Sequence, residues 1–293
     1  MTQDAGPTQD AQQAQAHSLP EEPLVVIAPK HLSLARDLRD IWAHRELLYF
    51  LMWRDVKVRY KQTALGVVWV VLQPLLMMTM FTIFFGRLVG EPGGGVPYPL
   101  FAYAGLLPWT FFSSAAMQGG NSIVNNSSLI TKVYFPRLIM PLAAVGAVLL
   151  DLAISFCVLA ALMVYWRVPA GTSALALPAL VVMVAALAYG AGTLMAALNV
   201  KYRDVRIALP FALQVWFFAT PIIYPTSSLP ESWRWALSLN PMTGVVEGFR
   251  AALYGRTRFD WPALAFSAAV TLVLLACAVF TFRRMERDFA DVV

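Results

Sequence analysis

Charge is the scarcest property of this 293-residue sequence. Asp, Glu, Lys and Arg make up 13% of it, against roughly 25% in a soluble globular domain, while 59% is apolar and the mean hydropathy is +0.62. That excludes an ordinary water-facing surface, and the long apolar runs exclude disorder and collagen. Cysteine is nearly absent: Cys157 and Cys277 both fall inside apolar runs, so no disulfide framework or cysteine metal site is supported. The histidines, His17, His31 and His44, all precede the first long apolar run, and the acidic residues on the far side are scattered singly. Neither a metal site nor the acid/base cluster of a membrane enzyme is visible. No segment reads G-x-x-x-x-G-K-[ST], and the Gly90–Gly95 cluster lacks the lysine, so no ATP-binding loop and no cofactor is expected in this chain. The net charge of +5 is dispersed rather than gathered in a patch, which argues against nucleic acid. Residues 1–23 lack the basic start and apolar stretch of a secretory signal, and 1–37 reads as a disordered polar tail.

What is present is membrane-length apolar sequence. Six stretches, near 64–86, 98–118, 138–166, 174–199, 207–225 and 262–282, predict an all-α integral membrane protein with a six-helix domain over 64–283. The second, with Pro108 and a Gln118-Gly119-Gly120 end, and the fifth, with Pro210, Gln214 and Pro221, are candidates for broken or re-entrant segments. Sixteen Lys and Arg fall in the connections on one side and six on the other, which puts both termini, and the 284–293 tail, in the cytoplasm. Residues 38–61 predict one helix lying along the membrane surface. Leu38, Ile41, Trp42, Leu48, Tyr49, Met52, Trp53, Val56 and Tyr60 share an arc opposite Arg39, Asp40, Glu46, Arg54, Asp55, Lys57 and Lys61. Leu47, Phe50 and Leu51 break that pattern and would face a partner or the neighbouring spans. Further on, Ser228-Leu229-Pro230-Glu231 and Asn240-Pro241 are helix starts, with Gly255 as a stop. They predict two short outer helices over about 228–255 that dip into the lipid interface.

Three groups of residues could carry function. Asp151 is the carboxylate well inside a predicted span, where it costs about 2.5–3.5 kcal/mol to insert. It reads as a polar contact on a substrate path, a proton site, or a hydrogen bond tying two helices together. Most aromatics suit interfacial belts and lipid-facing packing. Trp69, Gln73 and Phe84 in span one and Gln214, Phe217, Thr220 and Tyr224 in span five instead mix rings with amides and hydroxyls, as a carbohydrate passage would. Arg54, Lys57, Arg59 and Lys61 suit a lipid-borne diphosphate arriving from the cytoplasmic leaflet, or anchoring to anionic lipid.

The linear motifs resemble a known family. They are Arg45-Glu46-Leu47-Leu48, the run Trp53 to Thr63 (WRDVKVRYKQT), Leu65-Gly66, Leu72-Gln73-Pro74, Asn125 to Arg137 (NNSSLITKVYFPR), Asn199 with Tyr202-Arg203-Asp204-Val205, Pro221-Ile222-Ile223-Tyr224, and Leu239-Asn240-Pro241-Met242. In this order, over about residues 36–256, they resemble the permease subunits of type 2 ABC exporters that move lipid-linked polysaccharides such as O-antigen, teichoic acid and capsule. The resemblance implies six helices, an amphipathic cytoplasmic helix over 38–63 and a re-entrant periplasmic hairpin before the last helix. It implies a homodimer on two copies of a separate ABC ATPase, which carries ATP and Mg, in the bacterial inner membrane. It also implies a coupling helix at about 121–130, with Asn121, Ile123, Asn125, Leu129 and Ile130 docking on the ATPase. The cargo implied is polysaccharide on undecaprenyl diphosphate. A different type 2 exporter, for capsule, drugs or another lipid, and a membrane enzyme acting on polyprenyl-linked sugars are the alternatives.

Overall fold

A computed structural model of the protein describes residues 34–61, 66–89, 95–130, 132–133, 135–202, 204–228, 230–255 and 259–286. The expected tail up to residue 33, Gly90 to Gly94, Gln62 to Leu65, Arg203, Leu229 and residues 287–293 lie outside the described residues. The membrane-length helices all lie in the unit Arg36–Val293.

Among the described residues the structure is helical, without strands: α1 (Leu34–Ala43), α2 (Arg45–Lys61), α3 (Gly66–Val89), α4 (Tyr98–Asn125), a single turn α5 (Ser127–Ile130), α6 (Ile139–Tyr165), α7 (Leu177–Lys201), α8 (Val205–Phe218), α9 (Glu231–Ser238), α10 (Pro241–Tyr254) and α11 (Trp261–Glu286). Five helices, α3, α4, α6, α7 and α11, are long and apolar enough to cross a membrane. The fifth expected span is shorter than its apolar stretch. Helix α8 has 14 residues, about 21 Å at 1.5 Å per residue against roughly 30 Å of hydrocarbon. It stops ahead of Pro221, which has no N–H to continue the ladder and disfavours helix in Thr220.

Helix α4 is buried along most of its length and is the centre of the bundle. It packs on α7, α6 and α3, while α11 lies on α7, and α10 on α11 and α4. Pro108 and Gly119-Gly120 do not break α4, contrary to the expectation for the second span. Close packing holds the two glycines in helix: a Cβ on Gly119 would come 3.1 Å from the Gly192 Cα, and one on Gly192 would come 3.2 Å from the Gly119 Cα. The two backbones touch there, which is how helices gain contact where no hydrophobic drive exists between them.

The expected surface helix is divided at His44 into α1 and α2. Trp42, Tyr49 and Trp53 of its apolar arc are exposed, as is Phe50, while Leu51 is 1% exposed in a cluster with Ile123, Phe135 and Ile139. Leu47 packs on the same cluster. Helix α2 thus uses its pattern-breaking residues to grip the spans, with Met52 filling the notch at Gly146 of α6.

Of the two outer helix starts, the second forms as expected. Asn240 caps α10 by accepting from the Met242 N–H at 3.0 Å, Pro241 occupies the first turn, and Gly255 ends the helix at φ 60°, a left-handed conformation that glycine adopts without strain. In the first, Ser228 closes a short 3-10 turn and α9 begins at Glu231 without a side-chain cap. Helix α10 does not face lipid as expected: Met242, Val245, Val246, Phe249 and Leu253 are all buried in protein.

Gly192→Leu should destabilise the protein by about 1–3 kcal/mol or prevent folding, because the side chain must separate α4 from α7. Val182→Leu, on an exposed position of α7, should be neutral. Thermal unfolding of detergent-extracted protein compares the two.

Candidate functional site

Three helices each bring one pair at i,i+4 spacing, and so on one helical face, to a common space: the ring-and-amide pair Trp69 and Gln73 on α3, and the polar pairs Ser114 with Gln118 on α4 and Asp151 with Ser155 on α6. The space is a cavity of about 290 Å3, closed at one side by Arg59 from the last turn of α2. Pro74 also lines it, as does Val70, whose carbonyl has no proline N–H to accept from.

Arg59 holds this junction together. Its guanidinium donates to Asp151 Oδ2 and to Gln118 Oε1, and the Tyr60 hydroxyl donates to Asp151 Oδ1. The side chains of Arg59 and Asp151 are 26% and 19% exposed. Burial, then the hydrogen bond to Asp151, hold the Tyr60 phenol above its ordinary range. Asp151 is therefore compensated twice and ties α2 to α6.

The other basic residues of α2 point elsewhere. Arg54 chelates Asp55 at 3.0 and 2.8 Å and reaches Asn126 Oδ1 at 2.7 Å. Lys57 lies 5.4 Å from the Trp53 ring centroid, and both it and Lys61 are exposed.

The expected coupling segment is not a separate helix. Residues up to Asn125 continue α4, Asn126 turns, and α5 adds one turn. Ile123 and Ile130 are buried, and Asn121 is half-buried and accepts from Asn199 Nδ2 at 3.1 Å. Asn199 also donates to the Gly120 carbonyl at 3.0 Å. Asn125 is exposed, and Leu129 is half-exposed and packs on the cluster around Ile123 and Ile130.

Of the ring-and-amide set, Trp69, Gln73, Phe84 and Gln214 are exposed. Phe217 stacks on Phe81 at 5.9 Å and meets Trp109 edge-on at 5.7 Å. Thr220 turns inward, donating to the Trp216 carbonyl at 2.8 Å and accepting from Asn240 at 2.9 Å. The Tyr224 hydroxyl donates to the Phe218 carbonyl at 3.4 Å.

A second polar centre was not anticipated. Arg250 of α10 is 3% exposed and lies 3.6 Å from the centroid of the Phe101 ring. It donates to the carbonyls of Pro221 at 2.8 Å and Ile222 at 2.7 Å and pairs with Glu247 at 3.1 Å. Tyr98 donates to the Ile223 carbonyl at 2.8 Å. Asn240 binds the same break from below, accepting from Trp216 Nε1 at 2.8 Å and donating to the Ala219 carbonyl at 3.1 Å. A Cβ on Gly105 would come 2.6 Å from the guanidinium. The available signal was a Glu–Arg pair at i,i+3 in an otherwise apolar helix. Among the described residues no group of His, Cys, Asp or Glu could hold a metal ion.

Residues 46–254 match the family described as ABC-2 type transporter. Over 262 residues the chain is 32% identical to the O-antigen export system permease protein RfbA of Myxococcus xanthus, which covers 88% of this chain and 99% of that protein. It is 26% identical to the RfbA of Klebsiella pneumoniae over 251 residues, 85% of this chain and 95% of that one. It is also 26% identical to the polysialic acid transport protein KpsM of Escherichia coli over 243 residues, 80% and 92% of the two chains.

Two stability measurements test these polar networks. A double-mutant cycle on Arg59→Met and Asp151→Leu should show a coupling of about 0.5–3 kcal/mol, whereas additive effects would mean the ion pair holds nothing. Arg250→Met should cost roughly 3 kcal/mol or more through two orphaned carbonyls and an unpaired Glu247, and Arg250→Lys should rescue little, since an ammonium lacks the planar fork.

Proposed function

The chain belongs to the ABC-2 type transporter family, and from that premise we propose that it is the membrane permease of an ATP-driven exporter of lipid-linked polysaccharide of the O-antigen type. The observation that carries this reading is the similarity to an O-antigen export permease along 99% of that protein's length. The likeness to KpsM keeps a capsule polymer as the second reading. ATP is hydrolysed by a separate ABC ATPase, since this sequence has no phosphate-binding loop motif. Two permeases and two ATPases form the working unit, in the bacterial inner membrane with both termini cytoplasmic. Helix α8 and the turn after it make the sixth passage, and α9 with α10 form the hairpin on the outer side.

The chemistry of the walls favours sugar over ions. An ion or proton path needs several ionisable groups at membrane depth, and the cavity offers one compensated pair, Arg59 and Asp151. Rings and amides exposed on α3 and α8, among them Trp69, Gln73, Phe84 and Gln214, suit the C–H faces and hydroxyls of a polysaccharide. They are the faces that a second copy would complete into a channel. The carrier is a polyprenyl diphosphate, and the exposed Lys57 and Lys61 meet its charge at the inner surface.

Force enters through the segment around Asn121–Ile130. The ATPase pushes on its accessible residues, Asn125 and Leu129. Because Arg54 bonds to Asn126, and Asn199 to Asn121 and Gly120, displacement reaches α2 and α7 together. Leu129→Asp should abolish export of surface polysaccharide and lower glycan-stimulated ATPase activity, while the permease still extracts as a folded oligomer. Normal export by that variant would overturn the docking assignment.

A further inference from the structure

We propose that the cavity between α2, α3, α4 and α6 is a subsite for one uncharged sugar ring of the exported glycan. This rests on the exporter reading and goes beyond it by assigning the chemistry of one station on the path.

Size sets the first limit. At about 290 Å3 the cavity is at the lower end of the roughly 300–1,000 Å3 of small-molecule sites, which suits a single ring rather than a run of polymer or a lipid. Charge sets the second. Arg59 and Asp151 are the charged residues lining it, and they bond to each other. A diphosphate would have to break that pair and lie against the freed Asp151 carboxylate. A hydroxylated ring can bond to the walls with the pair intact.

The walls are equipped for this. Among the described residues nothing bonds the Gln73 amide or the Ser114 hydroxyl, and both line the cavity. Gln118 accepts from Arg59 through its carbonyl oxygen, which leaves its amide nitrogen to donate. Ser155 donates to the Asp151 carbonyl at 2.9 Å and Ser113 to the Thr110 carbonyl at 3.3 Å, so each keeps its oxygen lone pairs for a ligand hydroxyl. Trp69, 52% exposed and one turn from Gln73, supplies an apolar ring against which a sugar's C–H face can lie. Mixed donors and acceptors around one aromatic plane with no net charge recognise a neutral polyol ring. Arg59 accordingly belongs to the sugar site, not to the lysines that meet the diphosphate.

The test uses the permease in complex with its ATPase, with Cys157 and Cys277 replaced by Ser and Ser114→Cys as the reporter. The measured quantity is the rate of alkylation by a small maleimide. The probe is oligosaccharide released by mild acid from the surface polysaccharide of the source cells. At a probe concentration ten times its Kd, labelling should slow about tenfold by mass action, and Trp69→Ala should remove that protection. Gln73→Cys, on an exposed position, is the second reporter should Ser114→Cys fail to fold. Export is scored in parallel in cells lacking the gene. Export restored by the wild type, with no protection of either reporter, overturns the subsite alone. Protection by inorganic pyrophosphate but not by oligosaccharide overturns it in favour of an anion site. Failure of the wild-type gene to restore surface polysaccharide overturns the exporter reading and the subsite with it.

Discussion

A backbone that leaves the helix in apolar surroundings must find hydrogen-bond partners elsewhere, because each unsatisfied group costs several kcal/mol where no water can reach. That constraint acts on the residues after α8. The carbonyls of Pro221, Ile222 and Ile223 face inward and are met by the two arms of Arg250 and by Tyr98. Arg250 brings its own requirements: Glu247 for its charge, the Phe101 ring for its flat face, and a glycine at 105 for its volume. The position of α10 against α4, and its burial rather than a place in the lipid interface, stem from this one network. Asn240 serves it a second time, capping α10 while holding the end of α8.

At the α2 end of the bundle the same rule has a different outcome. Asp151, Arg59, Tyr60 and Gln118 satisfy one another, and in doing so fix α2 to the middle of α6. Around them remain an amide and a hydroxyl with room in front of them. The first network is closed on backbone and serves rigidity; the second borders a cavity and leaves capacity for a ligand. A third link, Arg54 to Asn126, joins α2 to the junction of α4 and α5.

The five long helices, α2 and the caps of α10 were legible because they depend on local signals: runs of membrane length, Asn240 before Pro241, and Gly255 at a left-handed position. The division of labour within α2 was half legible. Periodicity marked Leu47 and Leu51 as out of pattern, and packing made them the contact with the spans. Pro108 and Gly119-Gly120 misled because their local preference is outweighed by the touch of α4 on α7. The expected coupling helix merges into the end of α4, where Ile123 is an inward core residue. Arg250 went unread because the carbonyls it binds lie some 28 residues away, and its i,i+3 pair with Glu247 does not by itself report them.

Composition and order of residues by themselves determined that this is a helical membrane protein of a transporter family, which residues are apolar, and which polar groups must find a partner, because transfer free energies and helical periodicity are properties of short stretches. Which partner each polar group finds was decided only by tertiary structure. Asp151 could have been a relay, a path residue or a helix tie on sequence grounds. In the fold it is bonded beside a cavity, because the crossing of α6 and α2 brings Arg59 and Tyr60 to its two oxygens while Arg59 also reaches Gln118 of α4, and that meeting depends on residues as far as 92 positions apart.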